Sequence, residues 1–310
     1  MNKQLELLRQ VRLALNNNQF HDAIDALEQV VKLADENGDI GAKGRHLGNL
    51  ALLYYRLDRP KKALSAFKEA LICAQQVNDR FTESGLLGNI GNILREMKHY
   101  KDALQYLDAA LQIAEAENNT RGRGIWLSNI GLVYDDLKQP QEAIRYHLEA
   151  VEVARELNDQ RGLSSRLSNL GNSYVSIGDL QAAIPYFEET VSILRAIGET
   201  NELALRLGIL GNLYSEWGRS LENPHEAYRA FQHALDFYIE TLKIARELND
   251  VVTHAQVMRS IAHVLMFMGH APQAVEYYQT AAELFQALGM QQEYEQTRHD
   301  LKLAEKTISD

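Results

Sequence analysis

The chain has 310 residues, 45% of them apolar and 24% charged, a balance that excludes wholesale disorder. A formal net charge of −10 argues against nucleic acid as the main ligand, because a phosphate-binding surface shifts the balance the other way. No run approaches the 18 apolar residues a membrane helix needs, so no membrane insertion is expected. The start, MNKQLELLRQ, does not read as a signal peptide, and a single cysteine makes no internal disulfide. We therefore expect a cytoplasmic protein, and a monomer.

In chain order, the first helix pair spans residues 1–38 and is atypical, with Val11 where later units carry Gly or Ala. The second, 39–78, shows Leu47, Leu50, Ala51 and Tyr54 on one helical face, then Ala63, Phe67 and Ala70 on the next. The pattern returns at a 40-residue step in 79–118, 119–158 and 159–198. Ala51, Gly91, Gly131, Gly171 and Gly211 mark one position throughout. Turn residues fall between helices, at Pro60, Pro140, Gly178-Asp179 and the Asn-Asp pairs at 78–79, 158–159 and 249–250.

The sixth pair, 199–250, breaks step. ARELND at 154–159 recurs 91 residues later, which is 11 more than two repeats. Eleven helical residues turn through about 1100°, close to three full turns, so the downstream apolar face keeps its direction. Asn223 as N-cap and Pro224 at the first helical position predict one long helix from 224 to 248, protruding at an edge. Its exposed start, with Tyr228 and Phe231, would either form a second contact surface or pack against the adjacent repeat. The seventh pair, 251–289, resumes the pattern, and a polar helix over 290–308 caps the stack.

The spacing Leu-x-x-(Leu/Ile)-(Gly/Ala)-x-x-Tyr, followed by Ala, an aromatic and Ala, resembles the tetratricopeptide repeat (TPR). The 40-residue units look most like those of kinesin light chains, Pins-type adaptors and bacterial regulators with TPR sensor regions. The resemblance implies an all-α, right-handed solenoid of about seven helix-turn-helix repeats plus a C-terminal capping helix. First helices would line the concave face and second helices the outside.

Catalysis finds no constellation. There is no GxxxxGK(S/T), GxSxG or strand-linked GxGxxG, no two histidines stand four apart, and Cys73 occupies an aliphatic seam position. We expect no enzyme, no metal and no cofactor. His147 and Trp217 stand at apolar repeat positions and are expected in the core. Glycines inside first helices each cost about 1 kcal/mol relative to alanine. The Gly91 series is expected to offset this by close packing, whereas Gly85, Gly88 and Gly208 should turn to the open face.

One polar pattern persists. Asn49, Asn89, Asn129 and Asn169 share one position, and Asn92, Asn172 and Asn212 share another one turn on. A carboxamide suits an extended peptide backbone, and in the resembled adaptors asparagines at such positions hold one. The structural alternative has each Asn bind a carbonyl of a loop or neighbouring helix. Arg45, Arg95 and Arg259 lean toward the same groove, with Glu96, Asp135, Asp136 and Glu216 near its far rim. The expected function is a protein-interaction scaffold taking a peptide of another protein into the concave groove. The alternative is a sensory or regulatory module that binds a small molecule or signal peptide and controls an effector.

Overall fold

The computed structural model describes residues 2–309, and all its regular structure is helical. Contacts divide the chain into two compact units, one ending at Asn158 and one beginning at Asp159. The first holds α1 (Asn2–Asn16), α2 (Phe20–Glu36), α3 (Ile40–Arg56), α4 (Pro60–Gln76), α5 (Arg80–Glu96), α6 (Tyr100–Ala116), α7 (Thr120–Asp136) and α8 (Pro140–Glu156). The second holds α9 (Gln160–Ser176), α10 (Leu180–Ile197), α11 (Thr200–Ser220), α12 (Pro224–Glu247), α13 (Val251–Phe267), α14 (Ala271–Ala287) and α15 (Gln291–Ser309). Within each unit a helix packs chiefly on its neighbours in sequence, which is the contact pattern of an α-solenoid.

The helix ends follow from local chemistry. Five first helices open on a side-chain cap: Asp39, Asp79, Asn119, Asp159 and Asp250 each accept a hydrogen bond from the backbone N–H three residues on. Second helices α4, α8, α12 and α14 instead begin with proline in the first turn, where its missing N–H costs nothing. Most turns pivot on one left-handed residue, commonly Asn, as at Asn78 and Asn118, or Gly, as at Gly178.

The third to sixth pairs close through a glycine. A Cβ on Gly91, Gly131, Gly171 or Gly211 would lie 2.6, 2.5, 2.6 or 2.5 Å from Leu107, His147, Phe187 or Tyr238, respectively. The glycine thus admits a large side chain from its partner helix, and the burial gained offsets the helix penalty. His147 is fully buried on Gly131, and its Nε2 donates to Asp135 Oδ2 at 3.0 Å. Cys73 is buried against Gly44, and burial pushes its thiol pKa up. Trp217 is half-buried, tilted 60° to the Tyr214 ring.

The insertion takes a different form from the one expected. The helix Pro224–Glu247 exists, with Asn223 Oδ1 accepting from the His225 N–H at 3.0 Å. It does not extend alone. With 21 and 24 residues against the usual 17, α11 and α12 are four and seven residues longer than α13 and α14. The two extensions pack on each other: a Cβ on Gly218 would meet Phe231 at 2.8 Å and Ala230 at 3.2 Å. Phe231 is therefore buried, stacked on Phe267 at 5.7 Å, and not part of an exposed surface. A lone two-turn helix would have left that ring in water; pairing removes it. Tyr228 stays 42% exposed.

On α15, Thr297, Leu301 and Ala304 face inward, while Arg298, Lys302 and Glu305 are exposed. That is the asymmetry of a cap.

Candidate functional site

The first helices carry two faces. On α3, Leu47, Leu50, Ala51 and Tyr54 are buried, while Arg45, Asn49, Leu52 and Arg56 are exposed. Within the units, α5 touches α7 and α11 touches α13 directly, so these open faces lie side by side.

Both asparagine series sit on this open face. Asn49, Asn172 and Asn212 are exposed, and Asn89, Asn92, Asn129 and Asn169 are half-buried; none is fully enclosed. Asn212 has a structural role as well, since its Oδ1 accepts from the Tyr238 hydroxyl at 2.7 Å. Burial raises the pKa of that phenol to about 12.

The same first helices of the first unit carry apolar side chains that reach solvent: Leu52, Tyr55 and Ile125, with Phe81 70% exposed. Phe81 was missed in the sequence because one aromatic on a first turn has no counterpart in other repeats. The charged groups form ties between helices. The Tyr55 hydroxyl donates to Glu96 Oε1, linking α3 to α5. Arg95 Nε lies 3.7 Å from Asp136 Oδ2, linking α5 to α7. Arg95 is therefore paired with a carboxylate of the next first helix. Arg45 remains exposed and its charge helps hold the Asp79 carboxyl below its usual range, after the hydrogen bonds from Thr82. Arg259 lies over the Phe285 ring at 5.4 Å.

The interior glycines divide. Gly85 and Gly208 are open, with nothing within 4 Å of a Cβ at Gly85 and only Thr241 Cγ2 at 4.0 Å from one at Gly208. Gly88 is not. The Trp126 indole lies across it, 2.1 Å from where a Cβ would be, and Trp126 Nε1 donates to Ser84 Oγ at 3.0 Å. The only trace of that contact in the sequence was an interior glycine without a stated partner.

In the second unit the open face is grooved. One cavity of about 250 Å³ lies between α11 and α13 over Gly208, and one of about 350 Å³ continues it toward Glu216, Arg219 and Phe267. Asn212, Tyr238 and Ser260 line both. The Arg219 guanidinium sits 5.3 Å above the Phe267 ring. Among the described residues there is no cluster of three or more side chains suited to a metal, and no helix is long and apolar enough to cross a membrane.

Tetratricopeptide-repeat family profiles match residues 8–78, 82–156 and 163–197, together more than half of the chain. The chain is a tetratricopeptide-repeat protein. Residues 220–270, which include the lengthened α12, also match the profile of anaphase-promoting complex subunit 5. No curated protein sequence matches the chain. Among solved structures, BtubC (BKLC) from P. vanneervenii aligns with TM-score 0.62 at 22% identity, over 78% of this TPR protein and 92% of that chain. Apo RapI aligns with TM-score 0.63 at 16% identity, over 93% and 99%. A Rap protein complexed with Competence and Sporulation Factor aligns with TM-score 0.53 at 16% identity, over 99% and 97%. At these identities the likeness is one of fold.

Proposed function

We propose that this TPR protein is a non-catalytic interaction scaffold, which holds an extended peptide segment of a partner protein against its first-helix face. The observation that carries the reading is the asparagine register. Carboxamides recur at two fixed positions, stay within reach of solvent, and share their helices with half-exposed Leu52, Tyr55 and Ile125. A carboxamide offers donors and an acceptor to a peptide backbone, and exposed apolar side chains offer contact area for its side chains. A cytoplasmic setting accords with the single, buried cysteine.

The test is affinity capture from the source lysate, with wild type beside Asn89→Ala/Asn92→Ala/Asn172→Ala. Calorimetry with the captured partner follows. Loss of binding in the folded triple variant supports the groove, and equal binding overturns it.

A regulatory reading draws on the Rap likeness, since a protein of this fold is solved with Competence and Sporulation Factor bound. Here the ligand would shift helix spacing and pass the change to an effector. Small-angle scattering with and without the captured partner separates the two readings: an unchanged profile leaves the passive scaffold.

A further inference from the structure

The repeat lets the chain be compared with itself. Gly48, Gly88, Ser168 and Gly208 occupy one position on α3, α5, α9 and α11. On the next first helix of the same unit they are matched by Leu86, Trp126, Arg206 and Val257, again one repeat position. The structure shows these positions facing each other: a Cβ on Gly48 would lie 3.7 Å from Leu86 Cδ2, and one on Gly88 would lie 2.1 Å from the Trp126 ring. Arg206, half-buried, stands beside Ser164 and Ser165 of α9. Arg206 lines a cavity of about 350 Å³ there, but in the first unit a long side chain closes the gap between first helices.

At α11–α13 it does not. Gly208 has no side chain, Val257 is too short to reach across, and the place is the cavity of about 250 Å³. That is many times the roughly 30 Å³ share of one water molecule. Its walls are Ala204, Leu205 and Val257, with Tyr238 and Thr241 beneath. Its rim carries Asn201, Asn212, Gln256 and Ser260, side chains that can hydrogen-bond a peptide backbone. A pocket with an apolar interior and a few polar groups at its mouth is the usual form of a site for an anchoring side chain.

The filled counterpart shows what would fit. In the first unit the occupant is an indole, whose N–H donates to Ser84 Oγ, and Ser84 in turn donates to the Ala110 carbonyl at 2.8 Å. In the second unit the residue at the Ser84 position is Ala204, and that at the Ala110 position is Thr241, whose hydroxyl already donates to the Phe237 carbonyl at 2.8 Å. The serine that accepts the indole N–H is absent here while the space remains. A hydrocarbon ring suits it better than an indole, because a buried N–H without a partner is costly.

We infer that the α11–α13 groove receives one large apolar side chain of a partner peptide, a phenyl by size and polarity, in the place where the first unit seats its own Trp126. The inference rests on the peptide-scaffold reading and adds where specificity is set and for which side chain. The sixth and seventh pairs then form the selective part of the groove, and the asparagines elsewhere hold backbone without regard to sequence.

The experiment is selection of a random peptide library displayed on phage against the full chain, followed by fluorescence polarisation with the selected peptides. Val257→Trp fills the cavity with the side chain used by the first unit. Gly208→Leu fills it from the opposite wall, so the test survives if one variant fails to fold. Selected peptides should share a phenylalanine or a comparably large apolar residue. Both variants should bind them roughly ten- to a hundredfold more weakly, the loss expected for one buried apolar side chain. Replacing that phenylalanine by alanine should weaken binding to wild type similarly and change little further on Val257→Trp. Peptides without a common apolar residue, or unaffected by both filling variants, overturn the pocket. If such peptides are still lost from Asn89→Ala/Asn92→Ala/Asn172→Ala, the scaffold reading stands alone; if they are not, or if no peptide is selected, both fall.

Discussion

The Tyr238 hydroxyl, from the second helix of the sixth pair, donates to the Asn212 carboxamide on the open face of the first, at 2.7 Å. It reaches that far because Gly211 has no side chain, and its ring would overlap a Cβ there by 2.5 Å contacts. Core and open face are thus joined at one residue, and Asn212 is both part of the proposed site and tied to the side chain beneath it. Removing the acceptor should cost about 1 kcal/mol in Asn212→Ala. Tyr238→Phe removes the donor, so the double variant should be more stable than the sum of the two losses predicts. Urea unfolding of the three variants checks this; strict additivity would mean the bond contributes nothing.

Tyr238 is one of several shielded phenols, and they set a limit at high pH. Burial, with the Glu28 hydrogen bond second, raises Tyr54 to about 12, and burial does the same to Tyr238, against the ordinary 10.0. Burial also raises Tyr214 and Tyr278. Above pH 10 the unfolded chain releases these protons before the folded one does. The native state then holds more protons, so stability falls as pH rises. Stability should lose no tyrosine contribution below pH 10 and decline from there toward 12. Circular dichroism of urea unfolding at stepped pH reads the slope, which Tyr238→Phe should reduce.

Glycine-to-alanine changes should divide by what lies opposite. Gly171→Ala places a methyl 2.6 Å from the fully buried Phe187 ring and should destabilise by about 1–3 kcal/mol. Gly85→Ala meets nothing within 4 Å and should stabilise its helix by up to about 1 kcal/mol. Denaturant midpoints of opposite sign are the expected result. Equal shifts would show that close approach does not explain the glycine series.

Phe231 and Tyr228 should part in the same way. Phe231→Ala empties a site between Gly218 and Phe267 and should cost about 3 kcal/mol. Tyr228→Ala lies on the surface and should change stability by less than about 0.5 kcal/mol. Any effect of Tyr228→Ala on partner binding would then report contact and not folding.

Deleting α15 tests the cap. Phe285, fully buried on α14, would lose the cover of Leu301 and Ala304, whereas Leu288 is already 37% exposed and changes little. The truncated chain should self-associate in light scattering while the earlier repeats remain helical. A monomeric product with an unaltered melt would show that α15 is dispensable.

The sequence by itself determined the repeat, the helix ends and the buried face of each helix, because those depend on spacing along one chain segment. Asp79 caps and Gly171 admits a ring wherever the pattern places them. Spacing along a helix does not say what stands opposite on the next one. Gly88 and Gly208 occupy the same repeat position, yet Trp126 covers the first and Val257 leaves the second open. The 11 added residues could have formed one protruding helix by periodicity alone. Only the contact of Gly218 with Phe231 divided them between α11 and α12. The reason is physical: periodicity fixes direction, but whether a gap closes depends on the summed size of two side chains some 40 residues apart, and that is settled when the helices pack.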